Sequence, residues 1–582
     1  MKNLISFDLV PKDIKHLIET AIETGVLPSI NVGEERYISC SQLERVTARI
    51  LENKTKCKLS SQNVFVEEAR TFHINPDIKI YRELIDNAAS DPREILVPLF
   101  FAERDGEAGG LKKSVRSIDV GDSGCCVETS DESLVEYLQN SLEKYAKLEE
   151  RQNLAFSGSA SYQGSKAKFV PIIDSIVNTY CNEGAYILDL MCGAGAVGGA
   201  LSGSWKVVAS DLQKFSCRLA QVQGGGFSLM SAKLLLSDLS ATFDMEFEKV
   251  ADFKESDIQI EDEFLATELS QDLVDEFIDW LNRFPSIADS DNLPEKYLQA
   301  LSDRKLKNWK TPGLLFSIYY ANLFFGVRQA AEIDALRISI NSIKDEKSRD
   351  WALGALTATV SYCAYNFAGH FAQPKLNLDR NNINTSWLAG ILKKRSISVF
   401  HEFSARLLSL ANASSDAKYQ VDTVDGPWMK SIESFESFIP EGSDALVYFD
   451  PPYTRDEYSR YYHVLETLSI YNYPDVSGKA LLPLKGTPGR LYSPFSTRSA
   501  TDIEKLLTNI MSECLLRGWK VLWSYSSTGV ADIVNVLKEL DSIVSTIDIY
   551  NAAHKYSPQG EKKAKEVIEY FIVLTPGDVL PE

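Results

Sequence analysis

The sequence predicts an α/β protein. A parallel sheet of the doubly wound kind is split by a large, mainly helical insertion and preceded by an N-terminal α/β extension. Three observations predict it. A strand, a glycine-rich turn, a helix and a second strand follow one another in "AYILDLMCGAGAVGGALSGSWKVVASDL". Helical periodicity then dominates residues 216–415. Strand-like runs resume at "KYQVDTVDG" and continue almost to the end of the chain.

The elements can be taken in order. Residues 1–150 mix helical and strand-like patterns without a nameable motif, and an amphipathic helix over "SLVEYLQNSLEKYAKLEERQNL" ends the region. In 151–215, "FVPIIDSIVNTY" reads as a helix, "AYILDLM" as a buried strand and "WKVVASDL" as the next strand. In 216–415, "DLVDEFIDWLNRF", "QAAEIDALRISINSI", "DWALGALTATVSYCAYNFA" and "SVFHEFSARLLSLANA" carry helical spacing. In 416–582, "DALVYFD" and "WKVLWSYSS" are strands, and "IVSTIDIYNAA" with "VIEYFIVLTP" predicts a terminal antiparallel pair. One sheet domain is therefore built from 151–215 and 416–582, with 216–415 inserted in it.

The chain has 582 residues, enough for two to four domains. Its longest apolar run, "LLFSIYYANLFFGV", is too short to span a bilayer, and the N-terminus lacks an apolar signal core. A cytoplasmic location with no membrane partner is expected. Nine cysteines are scattered without a C-x-x-C pair, and six histidines do not cluster with them, which argues against structural zinc. The net charge of −20 argues against a strong nonspecific nucleic-acid binder. The charge is localised, however: residues 241–300 hold 17 acidic against 4 basic side chains, and residues 1–150 hold 27 against 19. Acidic lobes can lie away from a binding groove, so DNA is not excluded. The N-terminal region and segment 241–300 also offer surfaces for a basic protein partner.

Gly193-x-Gly195-x-x-Gly198 follows directly on a strand, and Asp211 ends the next strand, 22 residues after Asp189. Glycines permit the turn and let a ligand approach the backbone, and an acid on the second strand can bind ribose hydroxyls. The bland alternative is tight strand–helix packing. A dinucleotide and S-adenosylmethionine both suit the pattern. Asp189, standing before the glycines, would repel a pyrophosphate and attract an ammonium, which leans towards S-adenosylmethionine. Asp425 in "VDTVDGPW" ends the following sheet strand and is placed to accept from the adenine amino group of that cofactor, or to cap a turn.

Asp450-Pro451-Pro452-Tyr453 ends the strand "ALVYF". Two prolines stop the strand and restrict the backbone. A carboxylate and a carbonyl there can hold an exocyclic amino group with its lone pair aimed at an electrophilic methyl, and Tyr453 offers a face for a base. A base within a duplex reaches such a pocket only when flipped out.

With these residues in place, the chain resembles the S-adenosylmethionine-dependent adenine-specific DNA methyltransferases of the alpha group, the Dam-like class. The motif order matches: "YQGSK" (162–166), "DLMCGAGAVG" (189–198), a long insertion, then "DPPY" (450–453). "FFGVRQAAEIDALR", "GHFAQ" and "RDEYSRYYHVLETL" resemble a larger bacterial subfamily. The resemblance implies a Rossmann-like class I methyltransferase sheet. It implies that Tyr162, Gly164, Ser165 and Lys166 join Asp189, Gly193, Gly195, Asp211 and Asp425 around the cofactor. It implies that Asp450, Pro451, Pro452 and Tyr453 form the catalytic motif, and that the insertion holds the target-recognition region. Two departures stand out: Met191 replaces the usual aromatic after the first-strand acid, and the insertion exceeds that of the small Dam enzymes.

Cationic and aromatic residues after the motif suggest contacts to double-stranded DNA: Arg455, Tyr458, Arg460 and Tyr461, with Arg490 and Arg498 on a Gly/Pro-rich loop (486–499). Alternate members of the first group suit a helix core equally well. "LKKRS" (392–396) and "QGEKKAK" (559–565) are candidate phosphate contacts or plain surface, and His370 and His554 are core or loop histidines. Methyl transfer from a sulfonium needs no Lewis acid, so no metal is expected. The reading is N6-adenine methylation of DNA in restriction–modification or anti-phage defence. The rivals are the same chemistry on RNA or on cytosine, and a methyltransferase-like subunit of a defence complex with little or partner-dependent turnover. Asp450, where cytosine enzymes of this type usually carry Ser, disfavours cytosine.

Overall fold

Seven strands make the central sheet of the computed structural model. In chain order they are β1 (Tyr186–Leu190), β2 (Lys206–Asp211), β3 (Val421–Asp425), β4 (Ala445–Phe449), β5 (Lys520–Ser526), β6 (Val544–Tyr556) and β7 (Lys565–Pro576). Their order in the sheet is β3-β2-β1-β4-β5-β7-β6. The first five are parallel; β7 runs antiparallel between β5 and β6. The expected terminal antiparallel pair is therefore present. The structure describes residues 165–577 except 290–292, 307–311, 368, 375–382, 416, 454–456, 498 and 557–564, together with parts of 3–43 and two short strands, Arg116–Asp119 and Cys126–Thr129.

The parallel strands are covered on both faces, which is why they read as near-continuous apolar runs. All five residues of β4 are buried. One face packs Leu446 and Phe571 under α1 (Val170–Tyr180), which contributes Ile173 and Val177. The other packs Val447, Phe449 and Trp523 against Leu507 and Val536. The order in which successive strands are added to the sheet reverses between β1 and β4, which are direct parallel neighbours. Ligands bind at such a switch point, beyond the carboxyl ends of the strands.

Helix α2 (Ala196–Leu201) connects β1 to β2, and α3 (Lys214–Gln221) follows β2, across the 215/216 boundary drawn from sequence. The segment up to β3 is helical, with one small hairpin (Asn366–Phe367 with His370–Pro374) among the described residues. Its first helix, α4 (Leu229–Ala266), is capped by Ser228, whose hydroxyl accepts from the Ser231 amide at 3.0 Å. Two others matter below: α5 (Val327–Asn341) and α6 (Thr385–Arg395). A single core holding Phe277, Trp351 and Leu356 unites this region with Tyr462, Val464 and Leu465 behind the Asp450 motif.

The described part of the N-terminal extension forms a three-stranded antiparallel sheet: Leu4–Ser6, Glu35–Ser39 and Ile30–Val32. It covers the exposed edge of β6. The Gln42 side chain donates to the Ile549 carbonyl at 2.7 Å and accepts from its amide at 3.0 Å. Leu4 and Ile30 join the sheet core. The helix expected over "SLVEYLQNSLEKYAKLEERQNL", residues 559–564 of the "QGEKKAK" run and the His554 side chain lie outside the described residues. No helix among the described residues is long and apolar enough to cross a membrane.

Candidate active site

A cavity of about 660 Å³ opens at the carboxyl ends of the parallel strands, within the size range of small-molecule sites. Its floor is the turn after β1. Gly193 and Gly195 sit at φ +54° and +76°. A Cβ on Gly195 would lie 2.2 Å from Ala220 Cα, so α3 closes tightly on this turn. Asp189 is 1% exposed, and its Oδ2 accepts from the Gly198 amide at 2.8 Å. Burial pushes this carboxyl up to about 7, the Gly198 amide pulls against that, and Asp450 and Asp211 add to the rise. Asp211 accepts from the amides of Gly193 at 3.2 Å and Gln213 at 2.9 Å, and burial lifts it to about 6. The Ser210 hydroxyl and the Gln213 side-chain nitrogen are buried beside the cavity without a hydrogen-bond partner among the described residues. The floor is thus short of positive charge and holds spare polar groups.

The far wall is built on β4. Asp450 leaves the strand end with Oδ2 at 3.0 Å from Lys166 Nζ, and its Oδ1 accepts from the hydroxyls of Tyr453 at 2.8 Å and Ser524 at 3.0 Å. Lys166 is buried, lies 4.6 Å over the Tyr453 ring and stands 3.6 Å from Glu569 Oε1. Burial pulls the Lys166 ammonium down, but Asp450 and Glu569 outweigh it and hold it above its ordinary value. The Tyr453 hydroxyl oxygen also lies within hydrogen-bond reach of Glu569. Glu569 reaches in from β7, is 2% exposed, and burial pushes it up to about 7. Trp428, Phe495 and Tyr492 supply apolar lining.

The structure sorts the expected site residues. Ser165, Lys166, Asp189, Gly193, Asp211, Asp450, Pro451, Pro452, Tyr453 and Tyr458 line one cavity, and Gly195 lies within its floor turn. Lys166 reaches Asp450, although it was expected beside the cofactor. Asp425 ends β3 but is half exposed, 4.0 Å from Lys214 Nζ, and does not line the cavity; its neighbours Gly426, Pro427 and Trp428 do. Tyr453 is already covered by the Lys166 ammonium and packs edge-on against Tyr525, so its ring is not a bare stacking face.

Among the expected DNA contacts, Arg460 is exposed. Tyr461 stacks on His370 at 4.8 Å and is not part of the lining. Arg490 is held by both Glu457 oxygens, at 2.8 and 3.1 Å, because a partly desolvated guanidinium gains from a counter-charge. His463 is a satisfied core histidine between the carbonyls of Arg460 and Ala480, and burial lowers it to about 4. Arg395 of "LKKRS" is buried against Glu261 at 2.9 Å instead of facing solvent. Tyr162, Gly164, Arg455 and Arg498 lie outside the described residues. Sequence reasoning missed Glu569 and Ser524. The signal for Glu569 was a lone acid inside the apolar run "VIEYFIVL"; Ser524 left none.

Residues 428–523 match the model of the D12 class N6 adenine-specific DNA methyltransferases. The match begins at α7 (Trp428–Phe438) and spans β4, the Asp450 motif and the start of β5. The type II methyltransferase M.FokI of Planomicrobium okeanokoites is 24% identical over 261 residues, 43% of this chain and 35% of that protein. The modification methylase LlaI of Lactococcus lactis subsp. lactis is 33% identical over 146 residues, 23% of this chain and 22% of that protein. The chain thus spans about a third or less of the length of these curated relatives.

Proposed function

We propose that this chain transfers a methyl group from S-adenosylmethionine to the N6 amino group of a flipped adenine in double-stranded DNA, as the modification activity of a restriction–modification or defence system. The observation that carries the proposal is Asp450, presented at the end of β4 to the same cavity whose floor is the Asp189–glycine turn, within a segment that matches D12 class enzymes.

The residues present fit the cofactor. Two desolvated carboxylates in a largely apolar cavity favour a cation and disfavour a pyrophosphate. Asp189, Gly193 and Asp211 would hold it, and the partnerless Ser210 and Gln213 groups would receive its polar atoms. When bound, S-adenosylmethionine supplies a methyl group on a positively charged sulfur. Asp450 and the Pro451 carbonyl accept from the adenine amino group and aim its lone pair. Lys166 and Ser524 fix the carboxylate before the base arrives, so orientation is set in advance. Trp428, Tyr458 and Phe495 exclude water.

The test offers duplex DNA, single-stranded DNA and RNA to the protein with labelled cofactor, followed by nucleoside analysis. N6-methyladenine from duplex DNA is the expected product. Label on cytosine or only in RNA would overturn the substrate assignment. A second reading, turnover that depends on a partner, is favoured by the acidity of the chain and the pairing of Arg490; activity appearing only with an added partner would select it.

A further inference from the structure

Glu569 is a buried carboxylate on β7 with no role in the reading above, although it touches both Tyr453 and Lys166. The cluster holds one ammonium, Lys166, and two carboxylates, Asp450 and Glu569. It therefore carries one negative charge too many for a buried site. Glu569 is the more buried acid, 2% against 18% exposed, and the farther from Lys166, 3.6 Å against 3.0 Å. It is the carboxylate on which a proton costs least. Tyr453 has a single hydroxyl hydrogen, yet its oxygen lies within hydrogen-bond reach of both acids. That arrangement is fully satisfied only when one more proton sits in the cluster.

We propose that Glu569 is the final holder of the proton shed by the methylated amine, reached from Asp450 through the Tyr453 hydroxyl. The inference rests on the methyltransferase reading. Once nitrogen has gained a methyl group it carries a positive charge and a surplus proton. Asp450 accepts that proton on its carboxylate. It passes a proton to the Tyr453 oxygen as Tyr453 gives its own to Glu569. The amine ends neutral, Asp450 and Tyr453 end as they began, and Glu569 ends as a carboxylic acid. Glu569 does not touch the base; it is a positioning residue that acts through Tyr453. Lys166, Lys168, Asp450, Asp189, Tyr448 and Tyr453 are the ionisable groups that bear on this chain of transfers.

Glu569 must be ionised to accept. The single-turnover rate should therefore rise with pH and level off above about pH 7, where burial places this group. Glu569→Gln should lower the plateau about 100-fold and erase the inflection, with cofactor affinity unchanged. Glu569→Asp should keep an inflection. A second readout uses the protein without cofactor: infrared difference titration should show a carboxylic-acid band bleaching near neutral pH, lost in Glu569→Gln and shifted in Tyr453→Phe. Thermal melting checks that each variant folds. If the wild type methylates DNA and Glu569→Gln retains its rate and pH profile, the relay is wrong while the function stands. If the wild type methylates nothing, the function reading fails, and absence of the infrared band then overturns the proton placement separately.

Discussion

At the scale of single residues, the proposed function makes the two acids of the cavity floor decide how S-adenosylmethionine binds. Asp189 and Asp211 are lifted to about 7 and about 6 chiefly by burial. A cation bound beside them favours their ionised forms, so binding must expel protons below those values. Affinity for S-adenosylmethionine should rise from about pH 5.5 to 7.5 and then level off. Calorimetry in two buffers of different ionisation heat should show proton release at about pH 6.5. A flat affinity across that range would contradict the role of these acids. Gly195 is a second sharp test: Ala at φ +76° with its Cβ against α3 should cost about 2 kcal/mol or more and abolish cofactor binding, both readable by urea titration with and without ligand. The residue scale was partly legible in the sequence. Asp189, the glycines and Asp450 stand in contiguous motifs. Lys166 was legible as a site residue but not as the partner of Asp450, because that contact joins residues 284 positions apart. Glu569 comes from the antiparallel strand β7, and only the sheet order brings it to Tyr453.

At the scale of elements, the helical segment between β2 and β3 is tied together by buried charge. Glu261 near the end of α4 accepts from the Val327 amide at 3.0 Å and the Arg328 amide at 2.9 Å, which caps α5, and it pairs with Arg395 of α6. Both members of that pair are almost fully buried. Glu261→Ala would strand the Arg395 charge and uncap a helix, at a cost of about 3–5 kcal/mol; chemical denaturation followed by tryptophan fluorescence reads it. Sequence left "LKKRS" as a phosphate contact or plain surface, and Arg395 is neither: exposure of one basic residue in a run cannot be read without the partner helix. Arg490 gives the converse test. Its charge is already neutralised by Glu457. Arg490→Ala should change DNA affinity by less than about 3-fold and leave the slope of log affinity against log salt within about 0.3 of the wild type, whereas loss of a free phosphate contact would lower it by about 1.

At the scale of the whole molecule, the sheet was legible because its strands are long apolar runs between glycine and proline signals, and the helical character of the segment between β2 and β3 because long stretches of it show no strand alternation. The docking of the N-terminal strands on the β6 edge was not, since Gln42 and Ile549 pair through polar groups with no sequence signature. Five buried carboxylates (Asp189, Asp211, Asp334, Glu466 and Glu569) are lifted to between about 6 and about 7. The folded chain thus holds protons that the unfolded chain, with carboxylates near 4, has released. Stability therefore falls as pH rises from about 4 to 7 and is lowest above that window. Neutral, buried His463 opposes this only below about pH 6.5. Without cofactor, the melting midpoint should be higher at about pH 6 than at pH 8, and saturating S-adenosylmethionine should narrow the gap.

The central claim is that Asp450 holds an adenine amino group for methylation in the cavity floored by Asp189. One experiment addresses it: transfer from labelled S-adenosylmethionine to mixed-sequence duplex DNA by the wild type and by Asp450→Ala, with cofactor affinity measured on both proteins. The account predicts N6-methyladenine with the wild type, at least a 1000-fold loss in the variant (about 4 kcal/mol of barrier), and equal cofactor affinity. Cofactor binding without methyl transfer by the wild type, or unchanged methyladenine in the variant, would contradict it.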